Sequence, residues 1–259
     1  MKKIINMMVL MILCISVLAA CGGSQGKETA VDKEVSTGEN QKTLILGTNA
    51  DFPPFEFREG EEVVGFDIDL GKYIAEEMGV KLQVEDMAFD GLIPALQAGK
   101  IDFILAGLTV DPDKAKNADF SDPYFTASQM ILVTKDNDEI KGSNDLVNKK
   151  IGVQLGTTGD SLAQNIEGAE VVQFPAPYAA ILELQNKKID AIVLDLEPCK
   201  RFLEQNEDIK MLEEELTQEE YAAAVQKDDK ELLDQINAAL KKAKEDGTYD
   251  ALLQKYFEN

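Results

Sequence analysis

Two short stretches carry the groups best suited to hydrogen-bond a small polar molecule: Ala106-Gly107-Leu108-Thr109 and Leu194-Asp195-Leu196. Gly107 leaves backbone carbonyls open to close approach, Thr109 adds a hydroxyl, and Asp195 adds a carboxylate. Together they form a set of acceptors, not a nucleophile with its base. The 259 residues include no histidine, which excludes a Ser-His-Asp arrangement, a Cys-His pair and an imidazole metal site. No Walker phosphate loop or dinucleotide-binding glycine fingerprint occurs either, and no cofactor is expected.

Each stretch closes a longer echo. Residues 93–108 read IPALQAGKIDFILAGL and residues 181–196 read ILELQNKKIDAIVLDL; aligned without gaps, 8 of 16 positions are identical. Each copy reads as a helix end, a tight turn and a buried strand. Units of this kind can look alike by chance, but identity this dense, with the Lys-Ile-Asp triplet in both, points to two lobes of similar design. In open parallel sheets, ligands gather beyond the carboxyl ends of the strands. Two facing lobes would therefore bring Thr109 and Asp195 to opposite walls of one cleft.

The elements around these units alternate between β-branched apolar runs and helical patterns, which indicates an α/β fold with mainly parallel strands. Thr43 to Thr48 reads as the first strand. Gly65 to Gly79 reads as a helix, with Phe66, Leu70, Ile74 and Met78 on one face and Gly79 suited to its end. Asp67 and Asp69 fall in its first turn, where the helix dipole alone would account for them. Tyr221 to Gln226 reads as one strand, and Asp229 to Glu245 as a helix burying Leu232, Ile236, Leu240 and Ala243. That last stretch is expected to rejoin the first lobe, so the chain crosses between lobes twice. The expected organisation is lobe 1 over residues 43–124 plus 222–259, lobe 2 over 129–217, and a two-strand hinge at 124–128 and 217–221.

The first forty residues have a different character. Met1-Lys2-Lys3 precedes an apolar run to residue 20, and Leu18-Ala19-Ala20-Cys21-Gly22-Gly23 places small residues around a cysteine. This is the layout of a secretory leader over residues 1–20, resembling a lipoprotein processing site, with Cys21 as the acylated residue. A single-pass anchor is the other reading, but no basic stop-transfer cluster follows. Residues 21–42 are small, polar and charged, and read as a flexible lipid-anchored tether. The expected location is the outer face of the cell membrane. With 26 basic and 48 acidic residues, a formal net charge of −22, the chain repels phosphate backbones and no nucleic-acid partner is expected. Processing would remove Cys14 and commit Cys21, leaving Cys199 to pack as a small apolar residue.

Several passages, in order across 43–259, resemble the bacterial family 3 solute-binding proteins that feed polar amino acids to ABC importers. They are Gly47-Thr48-Asn49 through Phe52-Pro53-Pro54-Phe55-Glu56, Gly65-Phe66-Asp67-Ile68-Asp69-Leu70, Asp119-Phe120-Ser121-Asp122-Pro123-Tyr124, Gly152-Val153 with Gly156-Thr157-Thr158, and Asp246-Gly247-Thr248-Tyr249. The resemblance implies a type II periplasmic-binding-protein clamshell, each lobe a mainly parallel sheet flanked by helices. It also implies a monomer that closes over a free amino acid and delivers it to a membrane permease.

A buried zwitterion needs each charge paired and hydrogen-bonded. On this resemblance, Asp195, the carbonyl region of Ala106-Gly107 and the Thr109 hydroxyl receive the ammonium. Backbone N–H groups around Thr109, Thr157 and Thr158, with one cation, receive the carboxylate. Phe52, Phe89, Asn49 and Gln154 face the side chain, while Asp51 either lines the cleft or is solvated. Phe52 and Phe89 could instead be core, Asp195 a helix cap, and Thr157 and Thr158 caps whose N–H groups still face an anion.

The departure from the family pattern is Lys114, where an arginine usually grips the carboxylate. Lysine supplies a point charge without the planar fork, so it serves as an altered clamp, marks a non-standard ligand, or is a solvated surface residue. Asn49 stands where some binders of basic amino acids carry an aspartate, so the expected ligand is uncharged or acidic, such as glutamine or glutamate. Two rivals remain. A dehydratase would need an acid or base poised over its substrate, beyond one cleft carboxylate. A sensor domain would use the same clamshell to signal.

Overall fold

The computed structural model describes residues 42–258; the leader, Cys21 and all of the tether except Lys42 lie outside them. In chain order the first strands are β1 (Thr43–Thr48), β2 (Asp51–Phe52), β3 (Glu56–Glu59), β4 (Glu62–Val64), β5 (Lys81–Asp86), β6 (Phe103–Ile104), β7 (Ala118–Phe120) and β8 (Phe125–Ala127). They continue as β9 (Gln129–Thr134), β10 (Lys150–Gln154), β11 (Glu170–Phe174), β12 (Ala191–Asp195), β13 (Ile209–Met211), β14 (Glu219–Tyr221) and β15 (Ala224–Gln226). The helices are α1 (Phe66–Glu77), α2 (Leu92–Gln97), α3 (Thr158–Gln164), α4 (Pro177–Gln185), α5 (Leu196–Gln205), α6 (Lys230–Asp246) and α7 (Thr248–Phe257).

Two five-stranded sheets organise them, in the orders β5-β1-β6-β15-β7 and β11-β10-β12-β9-β13. β1 runs parallel to β5 and β6, and β10 to β11 and β12, whereas β15 and β9 are antiparallel to their neighbours. Both sheets are covered by helices, so β1 and β12 read as apolar runs and not as alternating ones. α1 lays Phe66, Ile68, Leu70 and Ile74 into the core. It comes so close to β1 that a Cβ on Gly71 would sit 2.9 Å from a Leu46 methyl. α6 buries Leu232, Ile236, Leu240 and Ala243, starts on an Asp229 carboxylate accepting from the Leu232 N–H (3.1 Å), and stops at Gly247 in the left-handed region.

The chain passes from the first sheet through β8, builds the second, and returns through β14 to β15. β8 and β14 pair antiparallel, Phe125 opposite Tyr221. Their rings stack 5.9 Å apart and pack with Phe55, Phe66 and Phe257 into one aromatic cluster. The expected single strand over 221–226 is in fact two. Tyr221 pairs with β8, whereas Ala222 donates to the Leu108 carbonyl (3.1 Å) and Ala223 to the Ser121 hydroxyl (2.9 Å) before β15 joins the first sheet. Changing partners breaks the ladder.

Candidate ligand-binding site

The echoed units occupy equivalent places. β6 lies between β1 and β15, and β12 between β10 and β9. In the first copy the Asp102 carboxylate accepts from the Ile45 N–H (2.7 Å) and the Asp102 N–H donates to the Ile45 carbonyl (2.8 Å). In the second, Asp190 does the same with Lys150, at 2.8 and 2.7 Å. The triplet's aspartate thus clips each turn to the start of the neighbouring strand. The isoleucine before it packs on a glycine of that strand: a Cβ on Gly47 would meet Ile101 at 2.3 Å, and one on Gly152 would meet Ile189 at 2.5 Å. These contacts are the physical content of the repeat.

Beyond both strand ends lies a tight cavity of about 10 Å³ lined by Phe52, Phe89, Gly107, Thr109, Lys114, Gln154, Thr157, Thr158 and Asp195. A larger groove, about 200 Å³, is lined by Phe55, Phe125, Thr126, Glu197 and Tyr221. The smaller cavity is the candidate because donors, acceptors and charges from both sheets converge on it. Nine of the twelve expected residues are therefore together. Asn49 stands beside them, donating to the Met87 carbonyl (3.0 Å) and accepting from Gln154 Nε2 (2.8 Å), a contact that joins the first sheet to the second. Ala106 is buried in the apolar cluster with Leu92, Leu96 and Ile104 and is not part of the cavity lining. Asp51 lies on β2 outside the lining, half-buried, its carboxyl raised by burial and by the Asp86 charge.

Gly107 adopts φ +52°, and a Cβ there would sit 2.7 Å from the Phe52 ring. Its N–H donates to Asp67 Oδ2 at 2.9 Å, and the Tyr124 hydroxyl donates to the same oxygen at 2.6 Å. The helix dipole is therefore not the whole account of Asp67. It is fully buried behind the strand end, where it pins the glycine turn. Burial raises its carboxyl to about 6 against the opposing Tyr124 and Gly107 hydrogen bonds. Asp69 instead pairs with Lys72 and Lys255 at the surface.

Asp195 is buried at the end of β12, accepting from the Tyr221 hydroxyl. It occupies the N-cap position of α5 but makes no side-chain cap bond. Burial and then the nearby Glu219 charge push it up to about 7, opposed by Tyr221 and Gln129. A buried ionisable group facing a cleft is a candidate for function. Thr157 caps α3, accepting from the Asp160 N–H (3.3 Å) and donating to the Gln154 carbonyl (2.8 Å); Thr158 opens the helix with its side chain half-exposed. Lys114 is not a solvated surface residue. It lines the cavity with its side chain 16 % exposed and its Nζ paired to Asp111. Burial works to raise Asp111, but the Lys114 hydrogen bonds and charge hold it below the ordinary range.

Glu219, Thr217, Tyr221, Gln129 and Asp67 were not anticipated as part of this neighbourhood. Apart from the Thr217–Glu219 bond, their partners lie 26 to 110 residues away along the chain, and no local spacing signals them.

Residues 44–259 match the bacterial extracellular solute-binding proteins, family 3. The chain belongs to that family. This family 3 protein is 36 % identical over 241 residues to a probable histidine-binding protein of Campylobacter jejuni, covering 92 % of this chain and 93 % of that one. It is 33 % identical over 258 residues to the arginine-binding extracellular protein ArtP of Bacillus subtilis, covering 97 % of each. An ancestral arginine-binding protein solved with glutamine bound superposes with a TM-score of 0.78 at 45 % identity, covering 84 % of this chain and 98 % of that one. The fold is the type II periplasmic-binding-protein clamshell that the resemblance implied. Among the described residues no helix is long and apolar enough to cross a membrane.

Proposed function

We propose that this solute-binding protein captures a free polar L-amino acid between its two sheets and passes it to the permease of an ABC importer. The observation that carries this is the cavity itself: acceptors from one sheet and a carboxylate from the other surround a space also reached by Lys114 and the start of α3. Asp195, the Gly107 carbonyl and the Thr109 hydroxyl take the ammonium. The N–H groups near Thr109 and Thr158, with Lys114, take the carboxylate. Asp111 holds Lys114 at the wall, so the ligand shares that charge instead of receiving a bidentate clamp.

Lobe 1 comprises 43–124 and 222–259, and lobe 2 comprises 129–217. The paired strands β8 and β14 are the hinge. A ligand touching both lobes favours the closed form by its differential affinity, and only that difference shifts the population. Acylation at Cys21 would hold the protein, as a monomer, on the outer face of the membrane. The role requires binding and release without chemistry.

The acidic surroundings bear on the ligand. Asp195 lines the cavity, Glu219 lies behind it, and the one lining cation is already paired. This disfavours glutamate and leaves glutamine as the first reading. The relatives named for arginine and histidine support a cationic side chain as the second. The test is titration calorimetry of the full chain, unfolded and refolded to strip carried-over ligand, against each common amino acid. Saturable micromolar binding of glutamine, with arginine weaker, is the expected result. Tighter arginine binding would select the second reading, and silence across the panel would refute the amino-acid assignment.

A further inference from the structure

Glu219 has no place in the ligand assignment above, yet it is buried beside the cavity and bonded to one of its walls. Its carboxylate sits on β14, 7 % exposed. Oε2 accepts from the Thr109 hydroxyl and Oε1 from the Thr217 hydroxyl, each at 2.6 Å. Those lengths are typical of charge-assisted O–H···O bonds. The Thr217 oxygen in turn accepts from the Gln129 N–H at 3.1 Å, and Gln129 lies opposite Asp195 in the β9–β12 ladder. One carboxylate therefore ties the strand end bearing Thr109 to the strand facing Asp195, through two threonine hydroxyls. Neighbouring backbone reinforces the tie: the Val110 N–H donates to the Glu220 carbonyl at 3.1 Å, and Thr109 bridges Tyr221.

A hydroxyl carries one proton and two lone pairs, whereas an ionised carboxylate only accepts. With its proton committed to Glu219, the Thr109 hydroxyl has only lone pairs to offer a group in the cavity. An ammonium has only donors. We propose that Glu219 is a positioning residue for ligand recognition: it fixes Thr109 as an acceptor for the ligand's ammonium and couples that acceptor to the hinge. This rests on the amino-acid reading. It adds a residue whose effect runs through Thr109 and not through contact with the ligand.

A double-mutant cycle read by calorimetry tests it, using the full chain and the tightest-binding amino acid of the panel. In Glu219→Gln, the amide can donate to Thr109 and turn its proton toward the cavity; about tenfold weaker binding is expected. In Thr109→Val the acceptor is gone and a loss of similar size is expected, whereas Thr109→Ser keeps near-native affinity. The combined Glu219→Gln, Thr109→Val protein should bind no more weakly than the weaker single variant, because both changes remove one interaction. Glu219→Asp separates position from charge and remains available if the glutamine variant does not fold. It keeps the charge but withdraws the oxygens by one methylene, and should also lose about tenfold. Multiplicative losses in the double variant, or native affinity in Glu219→Asp, would overturn the assignment while leaving the amino-acid reading intact. A wild-type chain that binds no amino acid overturns both.

Discussion

The same supersecondary unit ends differently in the two lobes. In the ungapped echo, Gly107 falls opposite Asp195. Both close a strand flanked by one parallel and one antiparallel neighbour, and both face one cavity. The glycine end offers backbone in a left-handed turn, pinned from behind by Asp67. The aspartate end stays extended, with φ −66° and ψ 147°, and offers a side chain. A shared scaffold thus presents dipoles on one wall and a full charge on the other. Dipoles can be buried at low cost once bonded, while a buried charge must wait for a counter-charge. The burden of recognition should therefore fall unequally on the two ends.

The largest expected effect follows directly. Asp195→Ala should weaken ligand binding by about 2–5 kcal/mol, roughly thirty-fold to several-thousand-fold, because it strands a buried ammonium. Circular dichroism should show the fold retained. Thr109→Val, on the opposite wall, should cost less than that. Near-native affinity in Asp195→Ala would mean that the charged end is not the ammonium site.

Titration sharpens the same contrast, since only one end carries an ionisable group into the cavity. Asp195 sits at about 7 against an ordinary 3.8. A bound ammonium favours its ionised form, so below about pH 7 binding must first expel a proton. Affinity should rise by up to about tenfold per unit from pH 5 to 7 and level off above. Asp195→Asn should flatten that slope in calorimetry. Ligand-free stability runs the other way. The folded state keeps a proton that the unfolded chain has released, so stability falls as pH rises from about 4 through 7. Asp67, at about 6, and Glu56, pushed well above its ordinary range by burial and the Asp67 charge, add the same trend. The difference between wild-type and Asp195→Asn melting curves isolates the Asp195 share, and it should widen toward pH 7.

The glycine end should fail by folding more than by affinity. Gly107→Ala places a Cβ in the left-handed region and 2.7 Å from the Phe52 ring. The backbone cost alone is about 1–2 kcal/mol, or roughly 2–8 °C in melting temperature. The reciprocal Asp195→Gly imposes no such strain and should lose binding with little loss of stability. A Gly107→Ala protein that melts with wild type would mean that the turn relaxes without its left-handed residue.

The repeat and the helical stripes of α1 and α6 were legible in the sequence because they obey local periods. The same is true of the two strand ends, which the repeat located and the structure brings to one cavity. What stayed hidden is long-range. Asp67 reads as an ordinary first-turn acid until its Gly107 and Tyr124 partners, 40 and 57 residues on, are seen. Glu219 sits in a stretch with four other glutamates, Glu213, Glu214, Glu215 and Glu220, nearby, and nothing in the order of residues singles it out. Lys114 was recognisable as a departure from a pattern. Its pairing to Asp111, three residues earlier, is local, but a spacing of three on a polar stretch is too common to carry weight.

The smallest effect concerns the feature the two units share most closely. Asp102 and Asp190 make the same two bonds to Ile45 and Lys150, but Asp102 is half-buried and Asp190 exposed. Removing an acceptor leaves a backbone N–H unpaired, and the cost depends on whether water can replace it. Asp102→Ala should destabilise the protein by about 1–2 kcal/mol, whereas Asp190→Ala should cost under about 1 kcal/mol. Neither should change ligand affinity, since both aspartates lie at the opposite ends of their strands from the cavity. Chemical denaturation of the two variants reads the stability difference, and calorimetry reads the affinity. Equal losses would show that solvent does not repair the second clip, and that the two units are equivalent in energy as well as in geometry. A changed affinity in either would mean that the strand, and not only its end, takes part in recognition.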